Sequence, residues 1–201
     1  DKWYPEGPSK QRGYHGFATR SLATTLDNEA PADLRETIFL GPIDDHRQYF
    51  PSNDPAQIAY WPNTIPTEPI GIDIALRGIY REFELLAGRI LRIIAHALNL
   101  PENYFAAKID RHFSVLSCHN YPALTKAPDP GQLRAGAHTD FGALTILAMK
   151  GAGGGLEVQM PDGHWQGVRT DRNELVVNLG DMMARWTNDR WRSTLHRVAN
   201  P

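Results

Sequence analysis

Two side chains of the kinds that bind transition metals stand two positions apart in this chain of 201 residues, at His138 and Asp140. In a β-strand, residues i and i+2 point to the same face, so the imidazole and the carboxylate could reach one ion. Taken alone, the pair is equally compatible with a turn or with a polar surface pair. Its interpretation therefore depends on the surrounding elements and on a third ligand.

The third candidate ligand is His196, which lies in the strand-like segment STLHRVAN. The chain between Asp140 and His196 has room for several strands, enough to go round a barrel and return. Two histidines and one carboxylate on one face of an octahedral ion leave three positions open, which suits iron(II) that binds both an organic chelator and O₂. A structural zinc site is disfavoured, because such sites commonly have four ligands that include cysteines, and Cys118 is the single cysteine.

The elements that must position these residues follow from the spacing of apolar side chains. From about Ile70 to Leu98, apolar residues recur at helical spacing with charged residues between them, which predicts a long amphipathic helix ended by Asn99 and Pro101. A second, short helix is predicted over residues 102–108. The long helix is expected to pack one apolar stripe against a sheet.

Beyond the helices, short apolar segments are separated by Gly, Pro, Asp and Asn, which predicts strands of an all-β sandwich or barrel. Pro161-Asp162-Gly163 predicts a hairpin turn between two of them. We expect two facing antiparallel sheets over residues 113–199, with an irregular arm and loop region at 1–69 and the helix and core at 70–201. The seven predicted strand segments are FSVLSCHNY, LRAGAHTD, ALTILAM, GLEVQM, GHWQGV, ELVVNLG and STLHRVAN.

Composition narrows the possible functions. The chain has 21 Lys and Arg against 23 Asp and Glu, a net charge of −2, and 41% hydrophobic residues, as is ordinary for a globular protein. This balance indicates neither a nucleic-acid surface nor an anionic-membrane surface. No apolar run reaches the roughly 18–20 residues of a membrane helix. The single cysteine is compatible with a reducing cytosol, so a cytoplasmic location is expected.

Several motifs in this order resemble those of a known family. The chain is similar to the isopenicillin N synthase-like group of iron(II)- and 2-oxoglutarate-dependent dioxygenases from about residue 13 to its last residue. The matching motifs are RGY at Arg12–Tyr14, NYP at Asn120–Pro122, HTDFGALTIL at His138–Leu147, GLEVQMPDGHW at Gly155–Trp165, LVVNLGD at Leu175–Asp181 and LHRVANP at Leu195–Pro201.

The resemblance implies a mainly-β fold with a double-stranded β-helix core, the cupin-like jelly roll. It implies iron(II) held by His138, Asp140 and His196, with 2-oxoglutarate and O₂ consumed to hydroxylate, desaturate or cyclise a small organic molecule and with succinate and CO₂ released. Tyr121 matches the tyrosine that contacts 2-oxoglutarate in this family, although a core aromatic role is equally open. Asn120 and Phe141 are candidate substrate contacts, and no catalytic residue is expected beyond the metal ligands.

One departure from the family leaves alternatives open. The arginine and serine that bind the far carboxylate of 2-oxoglutarate follow the distal histidine in this family and lie beyond Pro201, so we expect the chain to be part of a longer protein. One alternative is an iron oxidase of the same fold that does not use 2-oxoglutarate, as in isopenicillin N synthase or the ethylene-forming oxidase. The other is a non-catalytic jelly roll that binds metal as a sensor.

Overall fold

The structure is a computed structural model that describes residues 10–23, 30–150 and 154–200. Residues 1–9 of the predicted arm lie outside that range. The chain forms two compact units that alternate along the sequence, the first made of 1–15 and 37–119 and the second of 16–36 and 120–201. The domain boundary predicted after residue 69 stays a prediction, because compactness alone does not test where an independently folding domain begins.

The first unit is built on a long helix and a small sheet. Strands β1 (Gly13–His15) and β2 (Glu36–Leu40) pair antiparallel, and β3 (Leu116–Asn120) lies beside β2. Between β2 and β3 come a 3-10 helix (Arg47–Tyr49) and the helices α1 (Ala56–Ala59), α2 (Ile72–Ala97) and α3 (Ala106–Ile109). The region 41–67 is thus mostly irregular, as predicted, with two short helical turns.

Helix α2 confirms the predicted amphipathic helix. Its start at Ile72 follows Gly71, whose φ of 88° suits glycine, and Asn99 ends it with a φ of 56°. Leu76 and Tyr80 pack with Leu40 and Leu116 of the sheet in one buried cluster. Not every apolar residue between Ile70 and Leu98 is packed, since Ile93 is 69% exposed. The predicted 102–108 helix begins later, as α3, because residues 102–105 form turns.

Among its described residues, the second unit contains six strands in two antiparallel sheets. The strands are β4 (Ala135–His138), β5 (Leu144–Leu147), β6 (Leu156–Gln159), β7 (Trp165–Gly167), β8 (Val176–Leu179) and β9 (His196–Val198), with the short helix α4 (Asp181–Trp186) between the last two. One sheet has the order β4-β9-β6-β7 and the other pairs β5 with β8. This is the mainly-β, antiparallel pattern expected of the jelly roll.

Two local predictions have clear outcomes in this unit. The Pro161-Asp162-Gly163 turn joins β6 and β7, with Gly163 at a φ of 90° and Met160 accepting its N–H. The predicted range 113–199 was too long at its start, because β3 is a neighbour of β2 and belongs to neither sheet of the second unit. Periodicity identifies a strand but carries no information on its partner.

Candidate metal centre

Strand pairing brings the two histidines together. His138 ends β4 and His196 begins β9, and these two residues are register partners in the antiparallel ladder. Their ring centroids lie 4.2 Å apart. Strand β9 therefore brings His196 to a place beside β4, as the predicted barrel requires.

Asp140 completes the group. Its Oδ1 lies 3.8 Å from Nε2 of His138 and 3.8 Å from Nε2 of His196. The three ligand atoms all lie within 4.8 Å of one another, and the three residues form the one such cluster among the residues described. Adjacent ligands with metal bonds of about 2.0–2.2 Å would be separated by about 3 Å. Side-chain movements that shift each ligand atom by less than about an ångström would thus bring the three atoms to coordination distance from one ion.

Asp140 lies outside a strand, in contrast to the strand geometry predicted for the His-x-Asp pair. β4 ends at His138, and the following loop is held by α4 instead of by a ladder. The backbone N–H of Asp181 donates to the Asp140 carbonyl at 2.7 Å, and that of Met182 donates to Phe141 at 3.2 Å. Thr139 also donates through its hydroxyl to Oδ2 of Asp181 at 3.1 Å. Asp181 is the first residue of this helix.

Hydrogen bonds on the far side of each imidazole orient both rings. Nδ1 of His138 lies 2.8 Å from the Gly136 carbonyl, and Nδ1 of His196 lies 3.0 Å from the Thr194 carbonyl. A carbonyl only accepts, so each Nδ1 carries a proton, and in the neutral form of each ring the lone pair lies on Nε2. Both lone pairs are thereby available at the side of Asp140, as metal coordination requires.

The two oxygens of the Asp140 carboxylate also have different partners. Asn178 in β8 donates its amide to Oδ2 at 2.8 Å, and Oδ1 is left toward the two histidines. Burial acts to raise the pKa of Asp140, but hydrogen bonds from Asn178 and Thr145 and the nearby imidazoles outweigh it, so the pKa is lowered. The carboxylate is therefore ionised at neutral pH.

The charge state of the group fits a divalent cation. Burial, reinforced by the neighbouring His196, lowers the pKa of His138, which favours the neutral ring that a metal ligand must be. Two imidazole nitrogen donors and one anionic oxygen donor match the two-histidine, one-carboxylate set of non-haem iron(II). Cys118, which is exposed in the first unit, is not part of the cluster.

The other predicted site residues are dispersed around the second unit. Tyr121 is partly exposed and is hydrogen-bonded to the Arg35 side chain, and burial raises the pKa of its phenol. Asn120 donates its amide to Glu36 at 2.7 Å. Phe141 is 69% exposed beside Asp140 in the chain. None of these three is in the cluster of ligand atoms, so their roles stay predictions.

Sequence reasoning missed Asn178 as a contact of the site. An available signal was its polar amide in the middle of the apolar strand Val176–Leu179. A polar side chain in such a strand needs a hydrogen-bond partner, which indicates a nearby polar group. It also missed Gly180, where a Cβ atom would lie 2.7 Å from the Asp140 carbonyl oxygen and still closer to that of Gly142. That close approach is a property of the tertiary structure, so a glycine in the sequence does not by itself reveal it.

In the part of the chain that the structure describes, no helix combines the length and the apolar character needed to cross a membrane.

Comparisons with known proteins agree with this donor set. The family model of the 2OG-Fe(II) oxygenase superfamily matches residues 112–201. Among curated proteins, proline hydroxylase buaE of Petromyces alliaceus is 33% identical over 98% of this chain and 60% of its own length. The 2-oxoglutarate-dependent dioxygenase gloF of Glarea lozoyensis is 39% identical, again over 98% of this chain and 60% of its own length.

A solved structure shows the same similarity in three dimensions. A Neurospora crassa protein in complex with alpha-KG (2-oxoglutarate) and thymine has a TM-score of 0.72 and 29% identity, over 94% of this chain and 57% of that chain. The chain thus spans about 60% of the length of the two curated relatives.

Proposed function

Residues 112–201 of this chain match the family model of the 2OG-Fe(II) oxygenase superfamily, and from that premise we propose the activity of the whole protein. It oxidises a small organic molecule at an iron(II) centre, with 2-oxoglutarate as the cosubstrate. The observation that carries the proposal is the common direction of Nε2 of His138, Nε2 of His196 and Oδ1 of Asp140.

The three residues are assigned as the iron ligands. Bound there, iron(II) would supply the redox chemistry by which O₂ and 2-oxoglutarate give succinate and CO₂, with one oxygen atom entering succinate. The other oxygen atom would enter the substrate or would leave as water with two hydrogens taken from the substrate. The chain's own residues bind and orient. His138 and His196 present their lone pairs, and Asp140 offsets part of the ion's positive charge. Asn178 keeps the carboxylate in the orientation that leaves Oδ1 toward the histidines.

Residues near the ligands receive supporting roles in this proposal. Tyr121 contacts 2-oxoglutarate, as its family motif suggests, and its link to Arg35 would hold the phenol in place. Phe141 borders the substrate site, which is supported by its exposure directly after a ligand residue. Asn120 contributes to the same site through its backbone or through the amide atoms that do not contact Glu36, since one amide hydrogen is donated to Glu36.

The substrate is proposed to be a small organic molecule. One relative is a proline hydroxylase and another binds thymine, which supports compounds of that size. We also propose a cytoplasmic location, which the exposed free thiol of Cys118 supports, since free thiols are kept reduced in the cytosol.

The decisive experiment follows succinate and O₂. Intact protein supplied with iron(II), O₂ and 2-oxoglutarate is expected to form succinate, slowly alone and faster with a substrate from a panel that includes proline and thymine. His196→Ala should abolish this activity, while His164→Ala, which changes an exposed histidine of the β6–β7 hairpin, should leave it unchanged. O₂ uptake without succinate would indicate the oxidase alternative, and iron binding without O₂ uptake the sensor.

A further inference from the structure

One buried carboxylate of the second unit lies outside the ligand set. Asp33 is 2% exposed and belongs to the segment 16–36, far from the ligands in sequence. Its Oδ1 accepts the backbone N–H of Gly136 at 2.8 Å, and its Oδ2 accepts that of Leu22 at 3.1 Å. The Arg35 guanidinium lies 3.2 Å from the same Oδ2. Three donors therefore converge on one carboxylate, which offsets the cost of burying its charge.

The contact with Gly136 reaches the metal centre directly. Gly136 is in β4, two residues before His138, and its carbonyl is the acceptor that holds Nδ1 of that histidine. The ladder between β4 and β9 is irregular at this place, with regular partners only at Ala135 and His138. The peptide groups between these residues are not fixed by a continuous ladder, so the side chain of Asp33 supplies a fixed point.

The close approach depends on glycine at this position. A Cβ atom at residue 136 would lie 2.8 Å from the Ala23 Cβ and 3.1 Å from the Ala23 nitrogen. The segment that carries Asp33 is also hydrogen-bonded to the residues just before β4, through backbone and side-chain groups. Leu34 donates to the Leu133 carbonyl at 2.9 Å, and the Gln132 amide donates to the Ala32 carbonyl at 2.9 Å. Asp33 is thus held on both sides before any ion binds.

We propose that Asp33 is a positioning residue for the metal ligand His138, a role that rests on the iron site proposed above. By holding the Gly136 N–H it fixes the irregular turn of β4, and the Gly136 carbonyl then fixes the imidazole ring with Nε2 toward Asp140. Through Arg35, which is hydrogen-bonded to Tyr121, the same carboxylate also anchors the tyrosine assigned to the cosubstrate. Asp33 thereby supports both the metal ligand His138 and the cosubstrate contact Tyr121.

An amide at this position would not perform the same task. Asn has one acceptor oxygen, and two of the three donors, the Leu22 N–H and Arg35, lie on the same side of the carboxylate. The amide oxygen is expected to turn toward these two donors, which leaves an NH₂ group facing the Gly136 N–H. Asp33→Asn therefore removes the anchor of β4 with almost no change in side-chain volume.

Cobalt(II) binding to intact, metal-free protein tests the proposal without turnover. Asp33→Asn is expected to weaken cobalt(II) binding by about 10–100-fold, the range typical of residues that orient metal ligands, and to change the visible absorption spectrum of the bound ion. Asp33→Glu keeps the charge opposite Arg35 but displaces the carboxylate, so it should weaken binding as well.

Leu34→Ala is the matched control. Leu34 is equally buried in the same segment, and its truncation loosens packing while leaving the Asp33 carboxylate in place. Its cobalt(II) affinity should stay within about threefold of the unmodified protein. Unchanged affinity and spectrum in both Asp33 variants, or an equal loss in Leu34→Ala, would overturn the positioning role alone. A wild-type protein that binds no cobalt(II) would overturn the proposed iron site as well.

Discussion

The amide of Asn178 donates to Oδ2 of Asp140 at 2.8 Å, and the other oxygen of that carboxylate lies 3.8 Å from each of two imidazole nitrogens. A residue of β8 thus decides which carboxylate oxygen is offered to an ion, although it is not itself a ligand.

Replacing Asn178 with Ala should weaken cobalt(II) or iron(II) binding by about 10–100-fold, because the freed carboxylate can rotate and offer either oxygen. Val177→Ala in the same strand is a suitable control, since Val177 is 43% exposed and adjacent in sequence. Metal titration of both variants compares them directly. Equal affinities would show that the hydrogen bond is dispensable.

Asp140→Ala should abolish succinate formation, since the only anionic ligand is lost. Asp140→Glu should lower the rate by about 100-fold or more, because one added methylene displaces the carboxylate in a site where an ångström is costly. Asp162→Ala in the exposed hairpin turn should leave the rate unchanged. Succinate assays on the three variants check this, and sustained turnover by Asp140→Ala would contradict the assignment of Asp140.

Gly180→Ala should destabilise the protein by about 1–3 kcal/mol, because the new methyl group collides with the backbone carbonyls of Gly142 and Asp140. The collision also displaces the loop that carries Asp140, so metal affinity should fall with stability. Gly167→Ala is the matched control, as a Cβ atom there meets nothing within 4 Å. Chemical denaturation measures the difference, and similar losses in both variants would exclude a specific clash.

Tyr80→Phe tests an ionisable group of the first unit. Its hydroxyl donates to the Ser114 carbonyl at 2.9 Å, so its loss should cost about 0.5–1.5 kcal/mol near pH 8. Burial raises the pKa of Tyr80, which means that the folded state keeps a proton that the unfolded chain releases near pH 10. Stability from this group is therefore present below about pH 10 and is lost as pH rises further.

Unfolding curves of Tyr80→Phe and of the unmodified protein should accordingly converge above about pH 10. Leu76→Ala, which removes packing from the same cluster without changing ionisation, should show a stability deficit that does not depend on pH. A constant difference between Tyr80→Phe and the unmodified protein across this range would contradict the linkage.

Local patterns were sufficient for much of this fold. The helical spacing of apolar residues predicted α2, and short β-branched segments predicted every strand of the second unit. Both signals come from residues a few positions apart, where geometry forces side chains to one face. The three candidate ligands could be identified because their chemical types are distinctive and their sequence motifs are those of a known family.

Long-range partners could not be predicted in this way. The Asp33 to Gly136 bond joins residues 103 positions apart, and nothing in either local sequence specifies the other. The segment 16–36 was accordingly expected to be part of an irregular arm, whereas it packs with the strands of the second unit. The assignment of β3 to the wrong sheet has the same cause, since strand periodicity does not identify the strand beside it.

The position of β9 between β4 and β6 has a consequence for biosynthesis. His138 leaves the ribosome well before its register partner, because β5, β6, β7, β8 and α4 are all made in the interval. Until then, the proposed site of a nascent chain consists of one imidazole and one carboxylate, and the second imidazole arrives with β9. The iron site proposed here is therefore expected to form only after β9 has been made, later than the strands that come before it in the chain.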